Sequence, residues 1–379
     1  MHKIKILQMI DKPFLGGGQI NLLSLAKKLD REKFEVFVCS SENGPLVDEV
    51  NKNNMTHFPV SFSKKFNRKT VRELVSILAD NGIDILHTHG GVAGFYGRWA
   101  ARKCGLPVVI HTLHGIHYLH YRNFLLKQTY ILLERYFSRF TDALIFVSDA
   151  DREKGKKFKL AAEEKMVVVK NGIDFLSREL REKMISETKK NRKDQGLKPS
   201  QPIVGTVARL HRQKGITYLL KAAKRIYQVF PEVKILIVGG GPLRSKLEKE
   251  AHRLGLEEVV WFKGERKDVA KFLSIFDVFV LSSLWEGLPY VLIEAAAFGK
   301  PVVATDIDGV REVIEDKETG ILVPPRNPEK LAQAVIRLLR DKEHAQKLGQ
   351  KIDEEVPPRF TLSRMVAQIQ SLYLRLYEN

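Results

Sequence analysis

Cysteine is scarce in this chain of 379 residues, which holds only Cys39 and Cys104. Two thiols exclude a disulfide framework and a zinc cluster built on cysteine, and they fit a reducing compartment. Long hydrophobic runs are missing as well: no apolar stretch reaches the roughly 18 residues of a membrane-spanning helix. Met1 to Ile10 is apolar and slightly basic, but Asp11 and Pro13 cut it short. It therefore reads as a first strand and not as a signal peptide. No internal repeat or low-complexity tract is present. Acidic side chains are outnumbered, 45 against 63 Lys and Arg, for a net charge of +18. The surplus is spread over both halves, so it is a general field and not a basic tail. Such a field favours anionic partners: nucleic acid, acidic lipid surfaces or phosphorylated substrates. No aromatic RNA-binding signature or DNA-reading motif accompanies it, so a nucleic-acid binder rests on charge alone.

The length suits two domains, and 44% hydrophobic with 28% charged residues is the balance of a soluble globular protein. Strand and helix patterns alternate along the first half. Strands are expected at Lys3–Ile10, Glu35–Ser40, Asp84–Thr88, Val108–Thr112, Ala143–Val147 and Met166–Val169. Helices are expected at Ile20–Leu29, Val71–Ala79, Val92–Lys103 and Phe124–Phe140. Alternation of this kind predicts an α/β fold with a parallel sheet covered on both faces, and ligands beyond the carboxyl ends of its strands. Asn171-Gly172-Ile173-Asp174 is a turn signal, and the polar stretch after it has room for a surface helix over Arg178–Lys193. The rhythm restarts with strands at Pro202–Leu210, Val233–Val238 and Val259–Lys263. Helices at Pro328–Leu339 and Phe360–Tyr377 close the chain.

One stretch, Asp277 to Thr305, organises the rest. The buried strand Val278–Leu281 runs into the turn Ser282–Leu288, then a helix, then the strand Val302–Thr305. Pro289 fits the first helical position, where its missing N–H costs nothing. Gly299 fits the left-handed position past the helix end. The helix tip, with its unpaired N–H groups and dipole, suits phosphate. Glu286 in the turn and Glu294 eight positions on flank this cradle. Carboxylates beside a phosphate can accept from hydroxyls, so a ligand with phosphate in the middle and hydroxyl-rich rings at both ends fits. Each glutamate taken alone reads as an exposed, solvated residue.

The run E-G-L-P-x-x-x-x-E-A, followed by G-K-P-V-V-A-T, resembles the signature of the retaining nucleotide-sugar glycosyltransferases of family four, and the resemblance extends over nearly the whole chain. It implies the GT-B fold: two Rossmann-like doubly wound domains facing across a cleft. Residues 1–174 would be the acceptor domain and 175–358 the donor domain. The last helix, within 359–379, would pack back on the first domain. It further implies transfer of a sugar from a nucleoside diphosphate sugar to a glycan or lipid-linked acceptor hydroxyl, with no cofactor. A non-catalytic subunit of the same fold that binds a sugar nucleotide or glycan is the alternative.

Other motifs gain meaning beside that resemblance. Arg209 and Lys214 stand five positions apart at a strand end, where an Arg fork and a Lys point charge can clamp a diphosphate. They match the family's R-L-x-x-x-K-G motif, and as lone loop cations they would simply be solvated. The resemblance assigns the donor to Gly16, Gly17, Arg209, Lys214, Glu286, Gly287, Leu288, Pro289, Val291, Leu292 and Glu294. Arg209, Lys214, Glu286 and His114 are the catalytic candidates. The glycines at 16–18 follow the first strand and read as a loop that lets backbone approach a ligand. His87 and His89 alternate to one face of their strand, and His111 lies on a face that His114 need not share. His114 of T-L-H-G matches the acceptor-side histidine and His89 a weaker one; taken singly, each is more often a packing residue. Gly239-Gly240-Gly241-Pro242 does not complete a dinucleotide fingerprint, because Arg244 stands at its last glycine position. Asp306-Ile307-Asp308 is read as a loop, so no metal is expected. Lys64, Lys65, Arg68 and Lys69 lie around Phe62 and Phe66, and Arg122, Lys127, Arg135 and Arg139 dot an aromatic helix. Basic residues among aromatics can seat a protein on an anionic membrane. A cytoplasmic location, peripheral on the inner membrane face, is the matching expectation; the plain alternative is a core-facing helix with a solvated basic side.

Overall fold

The computed structural model describes residues 3–14, 16–62 and 66–378. Lys64 and Lys65 of the basic cluster and Leu15 before the glycines lie outside the described residues. The chain divides into two units, residues 1–172 with 362–379, and residues 173–361.

The first unit is built on seven parallel strands: β1 (Ile4–Ile10), β2 (Phe34–Ser40), β3 (Thr56–Pro59), β4 (Ile85–His89), β5 (Val108–Leu113), β6 (Ala143–Phe146) and β7 (Met166–Val168). Their order is β3-β2-β1-β4-β5-β6-β7. Strand alternation divides the core. Ile6 and Ile10 of β1 pack with Leu22, Leu25 and Ala26 of the helix Gly17–Lys28 on one face. Met365, Ile369 and Leu372 of the last helix, Leu362–Glu378, complete that layer. Leu7 and Met9 face the other way, toward Leu74 and Leu78 of Arg68–Asp80 and Ala93, Tyr96 and Ala100 of Gly91–Cys104.

The second unit has six parallel strands: β8 (Ile203–Val207), β9 (Lys234–Val238), β10 (Val260–Gly264), β11 (Val278–Leu281), β12 (Val302–Thr305) and β13 (Ile321–Val323), in the order β10-β9-β8-β11-β12-β13. Both sheets reverse their sequence order at the centre, between β1 and β4 and between β8 and β11. Doubly wound sheets hold ligands beyond the strand ends at such a reversal.

Several local expectations differ from the structure. Gly17 and Gly18 already belong to the first helix, with Gly16 as its N-cap. Pro289 is the N-cap, with φ −78° and ψ 108°, and the helix runs from Tyr290 to Ala297. Gly299 follows that helix in the expected left-handed conformation, at φ +59°. The single surface helix over 178–193 is two, Arg178–Ser186 and Thr188–Asp194. The second is held inward by Arg192, which is buried and donates to Pro199 O, Ile275 O and the Asp277 carboxylate at 2.7 Å. The short strands β3 and β13 and the helix Lys342–Glu355 lie outside the expectations from sequence. The last helix begins at Leu362, after a 3-10 turn at Pro357–Phe360.

Two stability predictions follow from this packing. Gly205 sits mid-strand in β8, where a Cβ would fall 2.3 Å from the Phe276 ring. Gly205→Ala should therefore overpack the core and cost about 1–3 kcal/mol in a urea melt; an unchanged midpoint would show that Phe276 yields freely. The second concerns histidines. Burial keeps His87, His89 and His111 well below the ordinary imidazole range, and it lowers His114 to about 3, with His117 adding repulsion. Above pH ~6.5 these groups are neutral in both states and contribute no pH dependence. Below it the unfolded chain takes up protons that the folded unit refuses, so stability falls with pH. Each group contributes up to about 1.4 kcal/mol per pH unit, until pH reaches its folded value. Glu294, raised to about 7 by burial, acts in the opposite sense, but it is one group against four. Calorimetry from pH 7 to pH 5 should show a steep fall in melting temperature. A flat profile there would contradict the buried, neutral cluster.

Candidate active site

In the second unit, two turns lie side by side at the carboxyl ends of β8 and β11. They are stitched by backbone first. Leu284 N–H donates to Gln213 O at 2.7 Å, and Ser282 Oγ donates to Lys214 O at 2.9 Å. Gly215 makes this approach feasible: it stands at φ +60°, and a Cβ there would meet Ser282 O at 2.1 Å. Side chains then close the seam. Lys214 Nζ lies 2.5 Å from Glu286 Oε1. Ser283 Oγ donates to the same oxygen at 2.6 Å, and Gln213 Nε2 donates to Oε2 at 3.1 Å and to Trp285 O at 2.9 Å. Glu286 is thus no solvated turn residue: its side chain is 7% exposed and that of Lys214 18%.

Arg209, at the end of β8, is exposed, and its side chain makes no hydrogen bond or ion pair among the described residues. Gly287, Leu288 and Pro289 are buried and lead to the helix tip, where Val291 is half-buried and Leu292 buried. Glu294 lies in the second turn of that helix. Burial alone raises its carboxyl to about 7, and it has no hydrogen-bond or ion-pair partner among the described residues. The structure therefore joins Lys214 to Glu286 directly and places Arg209 and Glu294 on elements that leave the same end of the sheet.

Three participants were not singled out from sequence. Gln213 and Ser283 share the Glu286 carboxylate, and their neighbourhood comes from the pairing of β8 with β11, which no local spacing shows. Gly309 is the third. It opens the turn of helix Asp308–Arg311 so close to the site that a Cβ would lie 2.4 Å from Gly287 O and 2.6 Å from Glu286 O. The Asp306-Ile307-Asp308 triplet is not wholly a loop: Asp308 begins that short helix, and Asp306 accepts from Arg311 Nε and Nη2 at 2.5 and 2.8 Å. Among the described residues no group of three or more His, Cys, Asp or Glu side chains is arranged to hold a metal.

In the first unit, the histidines share one end of the sheet but not one face. His111 hydrogen-bonds Thr88 Oγ1 at 2.8 Å and packs against Gly94. His87 and His89 lie together on the opposite face, ring centroids 4.2 Å apart. His89 Nδ1 meets His114 Nε2 at 2.9 Å, with the rings stacked. His114 also rests on Gly18, where a Cβ would stand 3.1 Å from its ring. That contact gives the third glycine a packing role within the helix. Gly16 and Gly17 begin the same helix but make no polar contact with the histidines.

Comparison with known proteins agrees with this geometry. A model described as Glycosyltransferase Family 4 matches residues 15–175, and one described as Glycosyl transferases group 1 matches residues 187–355. Among curated relatives, the UDP-Gal:alpha-D-GlcNAc-diphosphoundecaprenol alpha-1,3-galactosyltransferase of Escherichia coli is 29% identical over 384 residues, covering 100% of this chain and 98% of that protein. The alpha-D-kanosaminyltransferase of Streptomyces kanamyceticus is 29% identical over 76% of each chain. Anabaena HepE, solved in complex with UDP-glucose, superposes with a TM-score of 0.86 at 23% identity, over 98% of this chain and 99% of that one. Sucrose-phosphate synthase from Thermosynechococcus elongatus gives 0.82 at 22%, over 99% of each. With two doubly wound parallel sheets, and with the two family models meeting near residue 180, the chain belongs to glycosyltransferase family four and has the GT-B fold.

Proposed function

We propose that this glycosyltransferase moves a sugar from a UDP-sugar to a hydroxyl of a glycan or lipid-linked acceptor, with retention at the anomeric carbon and without a catalytic metal. The observation that carries the reading is the seam between Lys214 and Glu286 beside an unpaired Arg209 and a helix tip. A Lys ammonium has three N–H donors and Glu286 takes one, so two stay available for phosphate oxygens. Arg209 adds a fork with no competing carboxylate. The amides near Leu288 to Leu292 supply further positive potential against the leaving diphosphate. Glu286 has about four lone-pair positions. Ser283, Gln213 and Lys214 occupy three, which leaves room for one sugar hydroxyl. Glu294, unpartnered and half-buried, suits the ribose diol, whose two hydroxyls would favour its ionised form. Both carboxylates thus position the ligand, and neither is assigned the acid or base role of a hydrolase.

UDP as carrier is supported by the names of the Escherichia coli relative and the Anabaena complex. A diphosphate-lipid acceptor is supported by the name of the first, and a role in cell-envelope glycan synthesis is the extension of that acceptor in this reading. Release of UDP from a panel of UDP-sugars tests the reading and separates it from a non-catalytic binding subunit. Arg209→Ala and Lys214→Ala should each lower turnover about a hundredfold, the usual scale for removing one charge-stabilising donor, with melting temperatures confirming the fold. Activity should persist in excess EDTA. Near-normal rates in both variants would refute the clamp, and loss in EDTA with rescue by manganese would refute the metal-free route.

A second observation supports peripheral binding to the inner membrane face as part of this reading. The helix Phe124–Ser138 buries Ile131, Glu134 and Phe137 but leaves Phe124 67% and Leu125 75% exposed, with Tyr121, Leu126 and Tyr130 also exposed beside them. Arg122, Arg135 and Arg139 are exposed on the same segment. Inserting an apolar side chain into lipid is worth about 1.5–3 kcal/mol. The protein should float with phosphatidylglycerol vesicles in low salt, and the double variant Phe124→Ser, Leu125→Ser should lose that binding at least about tenfold. Equal flotation of both proteins would remove this surface from the proposal. No helix among the described residues is long and apolar enough to cross a membrane.

A further inference from the structure

A continuous polar chain runs through the first unit's core from the last helix to His114. Thr112 Oγ1 lies 2.7 Å from His87 Nε2, and His87 Nδ1 lies 2.5 Å from the Tyr373 hydroxyl. Gln8 Nε2 donates to that hydroxyl at 2.7 Å, and Gln8 Oε1 lies 2.9 Å from His89 Nε2. His89 Nδ1 then meets His114 Nε2. Gln8, His87, His89 and Tyr373 are all fully buried, so bulk water does not interrupt the chain.

Each link fixes the next. A neutral imidazole carries one N–H donor and one bare nitrogen. The Gln8 carbonyl accepts only, so His89 Nε2 carries the proton and His89 Nδ1 is bare. A bare His89 Nδ1 requires the proton of His114 on Nε2. His114 Nδ1 is then bare as well, and it is buried with no hydrogen-bond partner. On the far side, Tyr373 receives from Gln8 and donates to His87 Nδ1, so His87 Nε2–H donates to Thr112. Reversing the Gln8 amide would invert every link and move the last proton to His114 Nδ1. The two orientations pair the same atoms and differ in the His114 tautomer, so that tautomer reports which one the chain adopts.

We propose that Gln8 and Tyr373 are positioning residues which, through His89, present His114 as the tautomer with a bare Nδ1 that accepts a hydrogen bond from a hydroxyl of the bound sugar or acceptor. The inference rests on the reading of His114 as a substrate-side residue. An unpartnered buried acceptor is costly in the free protein and is repaired when a ligand hydroxyl reaches it. The low proton affinity of His114 fits a group that works as a neutral hydrogen-bond acceptor and not as an imidazolium. The last helix thereby acquires a task beyond closing the apolar layer: its Tyr373 sets the polarity of a group at the other end of the chain.

The tautomer is read directly by histidine-nitrogen NMR on the isotope-labelled full-length protein, with the His114 signals assigned by their loss in His114→Ala. The expected state is protonated Nε2 with bare Nδ1; a proton on Nδ1 overturns the proposal whatever the activity. Tyr373→Phe removes only the hydroxyl, and a melt verifies its fold. It should mix the two His114 tautomers and lower kcat/KM for UDP release from UDP-galactose about fivefold, the scale of one net hydrogen bond. In a His114→Ala background the same change should have no further effect on kcat/KM, because its path to the substrate is already cut. An additive loss there, or an unshifted tautomer in Tyr373→Phe, would show a merely structural hydroxyl and overturn the proposal while leaving the glycosyltransferase reading intact. Should the wild type release no UDP from UDP-galactose, the failure lies in the donor reading, and the NMR result still decides the positioning role.

Discussion

The second unit depends on the ion pair between Lys214 and Glu286. It closes the seam between two turns that backbone hydrogen bonds already hold side by side. The pair does not act alone, and its surroundings explain why it persists. Burying two charges is expensive unless their remaining donors and lone pairs are satisfied. Here Ser283 and Gln213 satisfy the carboxylate, while the ammonium keeps part of its surface open. The arrangement is therefore not chiefly a source of stability. Its consequence is geometric: a cation held at a fixed place beside a helix tip, with two of its donors uncommitted. Gly215 and Gly309 are the backbone counterpart, since both sit where a single Cβ would push the turns apart.

The first unit solves a related problem with neutral groups. Its core could have been wholly apolar, yet a line of amide, phenol and imidazole groups crosses it. Such a line is tolerable only when every member is paired, because each unpaired polar group in a dry interior costs on the order of 1–3 kcal/mol. Among the side chains of the chain from Thr112 to His114, the unpaired buried atom is the last one, His114 Nδ1. A defect confined to the terminus of an otherwise satisfied network is what a ligand-dependent group looks like. His111, one face away, also leaves a nitrogen unpaired, but its ring is pressed against Gly94 within the layer beneath the helix Gly91–Cys104.

The architecture was legible because it rests on local pattern. The alternation of apolar strands and amphipathic helices places both sheets, and most strand limits agree within a residue or two. The misses have physical causes. β3 is an edge strand of four residues ending in proline, with little apolar signal to distinguish it. The helix after Glu187 is held by Arg192, whose bonds to Ile275 O and the Asp277 carboxylate lie far along the chain, where no window of sequence contains them. In the site, Arg209, Lys214, Glu286 and Glu294 could be picked out by spacing and resemblance. That Lys214 and Glu286 would face each other could not, since it follows from strand pairing. Gln8 and Tyr373 were invisible for the same reason, standing at opposite ends of the chain in segments that read as ordinary strand and helix.

The charge of the chain bears on these sites in a way that separates range from grip. A surplus of +18 sets up a field felt over roughly a Debye length, about 8 Å at physiological ionic strength, and it raises the local concentration of any anion. It cannot select among anions. Around the ends of β8 and β11 the charges are mixed: Arg209 and Lys214 are cations, Glu286 pairs with Lys214, and the Glu294 carboxyl is raised to about 7 by burial. Discrimination there must come from directed donors and lone pairs, which fall off within one bond length of misplacement. An indiscriminate polyanion would be attracted by the field but would meet the Glu286 carboxylate at the Lys214 cation. A diphosphate flanked by hydroxyl-bearing rings offers each of those groups a partner of the right sign. The carboxylates, which a pure phosphate site would avoid, are then what converts general attraction into recognition.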